Sequence, residues 1–141
     1  MIVGASFAAP GGRIDAGATY VVFGGGALPA NFEFSSLLGI NGGDGSAGFV
    51  INGIDAQDRS GLSVAGAGDV NDDGFDDIII GANKADPGGR GNAGEAYVIF
   101  GTATIGVAEF ELSGLQTGNG GNGKTMFFLP PGPSGVPNVC D

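Results

Sequence analysis

Oxygen chemistry is concentrated in one nine-residue stretch, Asp69-Val70-Asn71-Asp72-Asp73-Gly74-Phe75-Asp76-Asp77. Asp69, Asn71, Asp73 and Asp77 offer side-chain oxygens and Phe75 its backbone carbonyl, a shell that suits a hard divalent cation such as Ca2+ and suits zinc or copper poorly. Gly74 stands where the backbone must reverse, because a residue without Cβ reaches positive φ at little cost. Five carboxylates in nine residues repel one another unless a cation or a set of donors neutralises them. The competing reading is a solvated turn, since Asp, Asn and Gly favour turns without any metal. Asp72 and Asp76 alternate with the ligand positions and are expected to face solvent.

The spacing excludes an EF-hand. That loop needs Glu at its twelfth position, and counting from Asp69 this is Ile80, inside the apolar run Ile78-Ile79-Ile80. The shell closes instead at its ninth position, on Asp77, and the chain runs directly into β structure.

The elements that position this loop follow from composition. The 141 residues include 31 glycines and are 42% hydrophobic, which describes short apolar strands joined by glycine turns. No stretch has helical apolar spacing with caps, so the expected fold class is all-β. With no His and a single Cys, the chain lacks His-based triads, Cys/His zinc sites and an internal disulfide. A formal charge of −10, with Arg13, Arg59, Lys84, Arg90 and Lys124 scattered, makes nucleic acid a poor partner and suits a calcium-rich external medium. No run approaches the length of a membrane span, and no export signal is visible at the N-terminus.

The beginning of the chain recurs later. Gly4-Ala5, Pro10-Gly11-Gly12-Arg13, Ala16-Gly17 and Tyr20-Val21 return 77 positions on as Gly81-Ala82, Pro87-Gly88-Gly89-Arg90, Ala93-Gly94 and Tyr97-Val98. After one inserted residue Phe32-Glu33, Ser35 and Leu37 return as Phe110-Glu111, Ser113 and Leu115, and Asn41-Gly42-Gly43 as Asn119-Gly120-Gly121. The chain therefore reads as a piece of a longer array that starts inside one repeat and ends inside another. Strands are expected at residues 49–52, 62–67, 77–81 and 96–100. The apolar runs at 78–80 and 97–100 predict strands covered on both faces. Residues 32–37 read as a further edge strand or a covering loop.

Gly61-Leu62-Ser63-Val64-Ala65, followed by Gly68 to Ala82 with the acidic loop inside it, resembles the FG-GAP repeat. That family is known from the β-propeller of integrin α subunits and from large bacterial surface or secreted proteins. The resemblance implies β-propeller blades of four antiparallel strands, about two of them here, with calcium held in the hairpin between the first two strands of a blade. Ser60 stands where the signature has Phe, and Asn83 and Ser6 where it has Pro. On this reading residues 1–48 are the C-terminal part of one repeat with a connecting segment. Residues 49–128 are a second repeat with the loop 69–77 and the start of the next, and 129–141 are a Pro-rich unstructured tail.

Other motifs do not hold up physically. Residues 118–125, GNGGNGKT, satisfy the phosphate-loop pattern, but Pro130-Pro131 follow and the earlier copy has no Lys, so nucleotide binding is rejected. Asn41-Gly42-Gly43-Asp44-Gly45 reads as a turn. Arg13 and Arg90 read as partners of local carbonyls or carboxylates, and Glu109 and Glu111 as solubilising groups on an edge strand rather than a glycosidase pair. The expected protein is not an enzyme. It is a calcium-binding structural or adhesive module of an extracellular or cell-surface protein, with neighbouring propeller blades and a protein or glycan ligand as partners. The alternative is a non-catalytic scaffold within a secreted propeller hydrolase acting on glycans or lipids.

Overall fold

A computed structural model describes residues 1–25, 31–101 and 108–115. The phosphate-loop-like motif, the Pro-rich tail and Cys140 lie outside the described residues. Among the described residues seven strands form two sheets. β1 (Ile2–Ala5), β2 (Ala18–Val22) and β3 (Gly48–Asn52) pair antiparallel, and β7 (Glu109–Glu111) joins β3 in parallel. β4 (Ser60–Gly68), β5 (Asp77–Ala82) and β6 (Glu95–Ile99) form an antiparallel second sheet. The fold is all-β, in partial propeller blades, and its regular helical elements are single 3-10 turns among the described residues. Two details differ from the four-stranded antiparallel expectation. The fourth strand of the first sheet is parallel and comes from the second repeat, and three strands of the second sheet lie among the described residues.

The repeat is repeated in space. The 3-10 turns at Pro10–Gly12 and Pro87–Gly89 match, and Asp15 and Asn92 take the same positive φ, 55° and 53°. Gly17 N–H donates to the Ala8 carbonyl at 2.9 Å and Gly94 N–H to the Ala85 carbonyl at 2.9 Å. The shared Pro-Gly-Gly-Arg and Ala-Gly positions thus make matching excursions between β1 and β2 and between β5 and β6. The short linker after β3 is then stitched to the first excursion, with Arg59 N–H on the Asp15 carbonyl and Ser60 N–H on the Ala16 carbonyl.

The core lies between the sheets. Val21, Phe49 and Ile51 of the first meet Ile78, Ile80 and Ile99 of the second, with Leu112 from the turn after β7. Close approach depends on Gly4, where a Cβ would fall 1.9 Å from the Gly61 carbonyl oxygen. The other face of the first sheet carries Ala18, Tyr20, Val22 and Val50, covered by Phe32, Phe34 and Leu37. The centroids of the Tyr20 and Phe34 rings are 5.2 Å apart.

The structure corrects two expectations here. The runs at 78–80 and 97–100 are not covered on both faces: Ile79 and Val98, paired across β5 and β6, are 38% and 37% exposed. The alternating pleat sends Ile78, Ile80 and Ile99 into the core and turns the residues between them outward. Glu109 and Glu111 do more than solubilise an edge. Glu111 accepts from Arg13 at 2.6 Å and from Asn52 at 2.9 Å, and Glu109 accepts from the Gly39 N–H at 2.8 Å. Arg13 does bond a carbonyl and a carboxylate, but both are distant in sequence, Gly53 at 3.0 Å and Glu111.

Candidate metal loop

Residues 69–76 connect β4 to β5 as the tip of a hairpin, so two paired strands fix both ends of the acidic stretch. Two residues reverse the backbone: Asp72 at φ 61° and Gly74 at φ 87°. The Asp72 conformation is unusual for a residue with Cβ and is tolerated best by Asn and Asp. Asp69 accepts the N–H groups of Asp73 at 3.0 Å and Gly74 at 2.8 Å. Asp73 accepts the Phe75 N–H at 3.0 Å and the Asn71 amide at 2.8 Å. The backbone N–H groups turned toward Asp69, that of Gly74 foremost, hold its carboxyl below the ordinary carboxylate range.

Asp77 differs from the other acids. It is fully buried at the first position of β5. One oxygen accepts the Val70 N–H at 2.8 Å and the other the Gly101 N–H at 2.8 Å. The side chain therefore ties the start of the loop to Gly101, two residues past the end of β6. Gly101 has little room for anything larger, because a Cβ there would lie 2.4 Å from the Asp76 carbonyl oxygen. Neither the Val70 contact nor the Gly101 contact was legible from the acidic spacing.

Asp76 also departs from expectation. Instead of facing solvent freely, its Oδ2 is buried without a hydrogen-bond partner. Burial, with the charges of Asp69 and Asp77, pushes its carboxyl upward. Asp72 is exposed, as are Asp69, Asn71 and Asp73.

The donor chemistry fits a hard cation, since every side chain in the set offers oxygen. Among the described residues, however, no three acidic, His or Cys side chains are gathered as a metal cluster. The carboxylates of Asp69, Asp73 and Asp77 instead receive loop amides. Each carboxylate oxygen has a further lone pair beyond the one an amide uses. Asp69, Asn71 and Asp73 lie together at the exposed tip, while Asp77 and the Phe75 backbone lie toward the sheet.

Paired hairpin sheets, repeated along the chain and stacked through glycine contacts, define a repeat protein built from β-propeller blades. The family model of the FG-GAP repeat matches residues 60–99, which are β4, the acidic loop, β5 and β6. Over those residues the chain resembles an FG-GAP repeat. It is 40% identical over 76 residues to integrin alpha pat-2 of Caenorhabditis elegans, covering 54% of this chain and 6% of that protein. It is 38% identical over 76 residues to integrin alpha pat-2 of Caenorhabditis briggsae, with the same coverage of 54% and 6%. The chain thus matches a small part of the length of these relatives. No solved structure matches significantly. No helix among the described residues is long and apolar enough to cross a membrane.

Proposed function

We propose that the chain is a calcium-stabilised propeller segment of an extracellular or cell-surface protein and serves as a structural or adhesive module without catalysis. The observation that carries this reading is the strict oxygen alternation of residues 69–77 at the tip of the β4–β5 hairpin, within the segment that matches the FG-GAP repeat. Asp69, Asn71, Asp73 and Asp77 would hold Ca2+ by side-chain oxygens and Phe75 by its carbonyl. Calcium would neutralise the crowded acids and join the two strands, so its role is in folding rather than in chemistry. The partners are neighbouring blades of a longer chain and a protein or glycan ligand. The similarity to integrin α sequences supports adhesion.

Extracellular sites of this chemistry bind with constants of about 10⁻⁴ to 10⁻³ M. Calcium at tenfold its dissociation constant then stabilises the folded state by about 1.4 kcal/mol. Thermal unfolding in calcium and in chelator tests the reading. We expect calcium to raise the melting temperature by several degrees and Asp73→Ala to abolish the increase. Equal melting temperatures in the two conditions would refute it.

A further inference from the structure

Residues 53–59 join β3 to β4 at the end of β4 opposite the acidic loop. Two of them hold backbone conformations that glycine adopts more readily, Gln57 at φ 73° and Arg59 at φ 56°. Both are fixed to the first excursion: the Gln57 N–H donates to the Ile14 carbonyl at 2.9 Å and the Arg59 N–H to the Asp15 carbonyl at 3.0 Å. Among the described residues glycine fills most positions of positive φ. A long side chain kept at such a strained position is accounted for by what the side chain does.

The Arg59 guanidinium lies over the Phe7 ring, 4.8 Å from its centroid. Among the described residues it makes no ion pair, and its Nε is buried without a hydrogen-bond partner. The chain has 15 acidic residues against 5 basic ones, and Arg13 has Glu111. Arg59 has none of them. Even its neighbour Asp58 turns its carboxylate to the Asp55 N–H.

The surface beside this cation is apolar, with Phe7 64% and Ile14 67% exposed. The excursion does not need either side chain. Its second copy makes the same turn with Lys84 and Gly91 at the equivalent positions. A guanidinium stacked on a ring still presents its N–H groups in its own plane, where they match the two oxygens of a carboxylate.

We propose that Arg59, Phe7 and Ile14 form a binding site for a protein segment that carries a carboxylate next to an apolar side chain. The carboxylate accepts from the guanidinium, and the apolar side chain covers Ile14 and the open part of the Phe7 ring. This site names the chemistry of the adhesive module's protein ligand and rests on that reading. Ile14 favours a peptide over an acidic sugar, because an aliphatic side chain leaves sugar hydroxyls without partners.

Two-dimensional NMR of the full chain, titrated with acetyl-Leu-Glu-Leu-amide to about 10 mM, tests the site. We expect shifts at the Arg59 Nε–H and at the Phe7 and Ile14 amides with a dissociation constant of about 1 mM, and none with the glutamine analogue of the peptide. Arg59→Gly, which relaxes the backbone, should weaken binding at least about tenfold without lowering the melting temperature. Ile14→Gly, which takes the second copy's residue, should weaken it less. No shift at the highest concentration, equal shifts with the glutamine analogue, or unchanged binding by Arg59→Gly would overturn the proposal. A parent chain that binds no peptide and loses melting temperature with Arg59→Gly would show that Arg59 only caps Phe7, which also overturns it. Glucuronate bound as tightly as the peptide, and indifferent to Ile14→Gly, would assign the site to an acidic sugar and overturn the peptide assignment. The amides of residues 69–77 report calcium in the same spectra. Their response to calcium with a silent Arg59 would remove this site and leave the propeller reading standing.

Discussion

The Asp77 carboxylate, fully buried, accepts the backbone N–H of Gly101 at 2.8 Å, and so fastens the entry of β5 to the exit of β6. Because its other oxygen takes the Val70 N–H, one side chain closes the loop at both ends. Asp77→Ala leaves two amides without their acceptor, one of them buried, and should cost about 2–4 kcal/mol. Urea unfolding in chelator isolates this structural cost from any effect of calcium. A loss under about 0.5 kcal/mol, the usual range for a surface substitution, would contradict the latch.

Gly101 and Gly24 occupy equivalent places in the two copies but meet different surroundings. A Cβ at Gly101 would lie 2.4 Å from the Asp76 carbonyl oxygen and 2.8 Å from the Phe75 Cβ, whereas at Gly24 nothing among the described residues stands within 4 Å. Gly101→Ala should therefore cost about 1–3 kcal/mol by overpacking. Gly24→Ala should change stability by less than about 0.5 kcal/mol. The pair is compared by the same unfolding curves, and equal effects would count against the described packing of the loop on β6.

Asp58 supplies a pH signature away from the metal loop. Burial is the main cause that raises its carboxyl, and the charges of Asp55, Glu95 and Asp86 add to it, although the Asp55 N–H acts the other way. An acid whose folded pKa is raised contributes stability that is complete below its unfolded value of about 3.9 and is lost as pH rises through the folded value. Asp58→Asn, which preserves an acceptor for that N–H, should raise the melting temperature at pH 7 and bring no gain near pH 3. A pH-independent difference between the two proteins would contradict the assignment.

The Arg13–Glu111 pair spans the two repeats at 2.6 Å, with its side chains 34% and 49% exposed. At that exposure the pair contributes modestly, and Glu111→Gln should cost no more than about 1 kcal/mol, less in high salt. Unfolding at low and high salt tests this. A loss of several kcal/mol that salt leaves unchanged would mean that the pair is far better shielded than its surface position indicates.

Much of this architecture was legible in the sequence because it is local. Excursions that share their Pro-Gly-Gly-Arg and Ala-Gly positions repeat in conformation, and β3 to β6 fall within two residues of their expected ends. The hairpin setting of residues 69–76 followed in the same way. What escaped depends on contacts between residues far apart in the chain. Nothing near Glu111 points to Arg13, and nothing near Asp77 points to Gly101. For residues 32–37 the sequence allowed an edge strand or a cover: the same 3-10 turn stands at Phe34–Leu37 and at its counterpart Leu112–Leu115, and the copies differ in the residues just before it, where Glu109–Glu111 pairs as an edge strand. The exposed Ile79 and Val98 mark the limit of reading coverage from an apolar run, because such a run does not say whether its second neighbour lies within the chain.

Calorimetric titration of the folded chain with calcium, beside Asp73→Ala, tests the central claim most directly. We expect saturable binding of one ion, with a dissociation constant of about 10⁻⁴ to 10⁻³ M, that disappears in the variant. No binding heat in millimolar calcium by a chain that circular dichroism shows to be folded, or equal binding by Asp73→Ala, would contradict it and leave residues 69–77 as a turn held by its own amides.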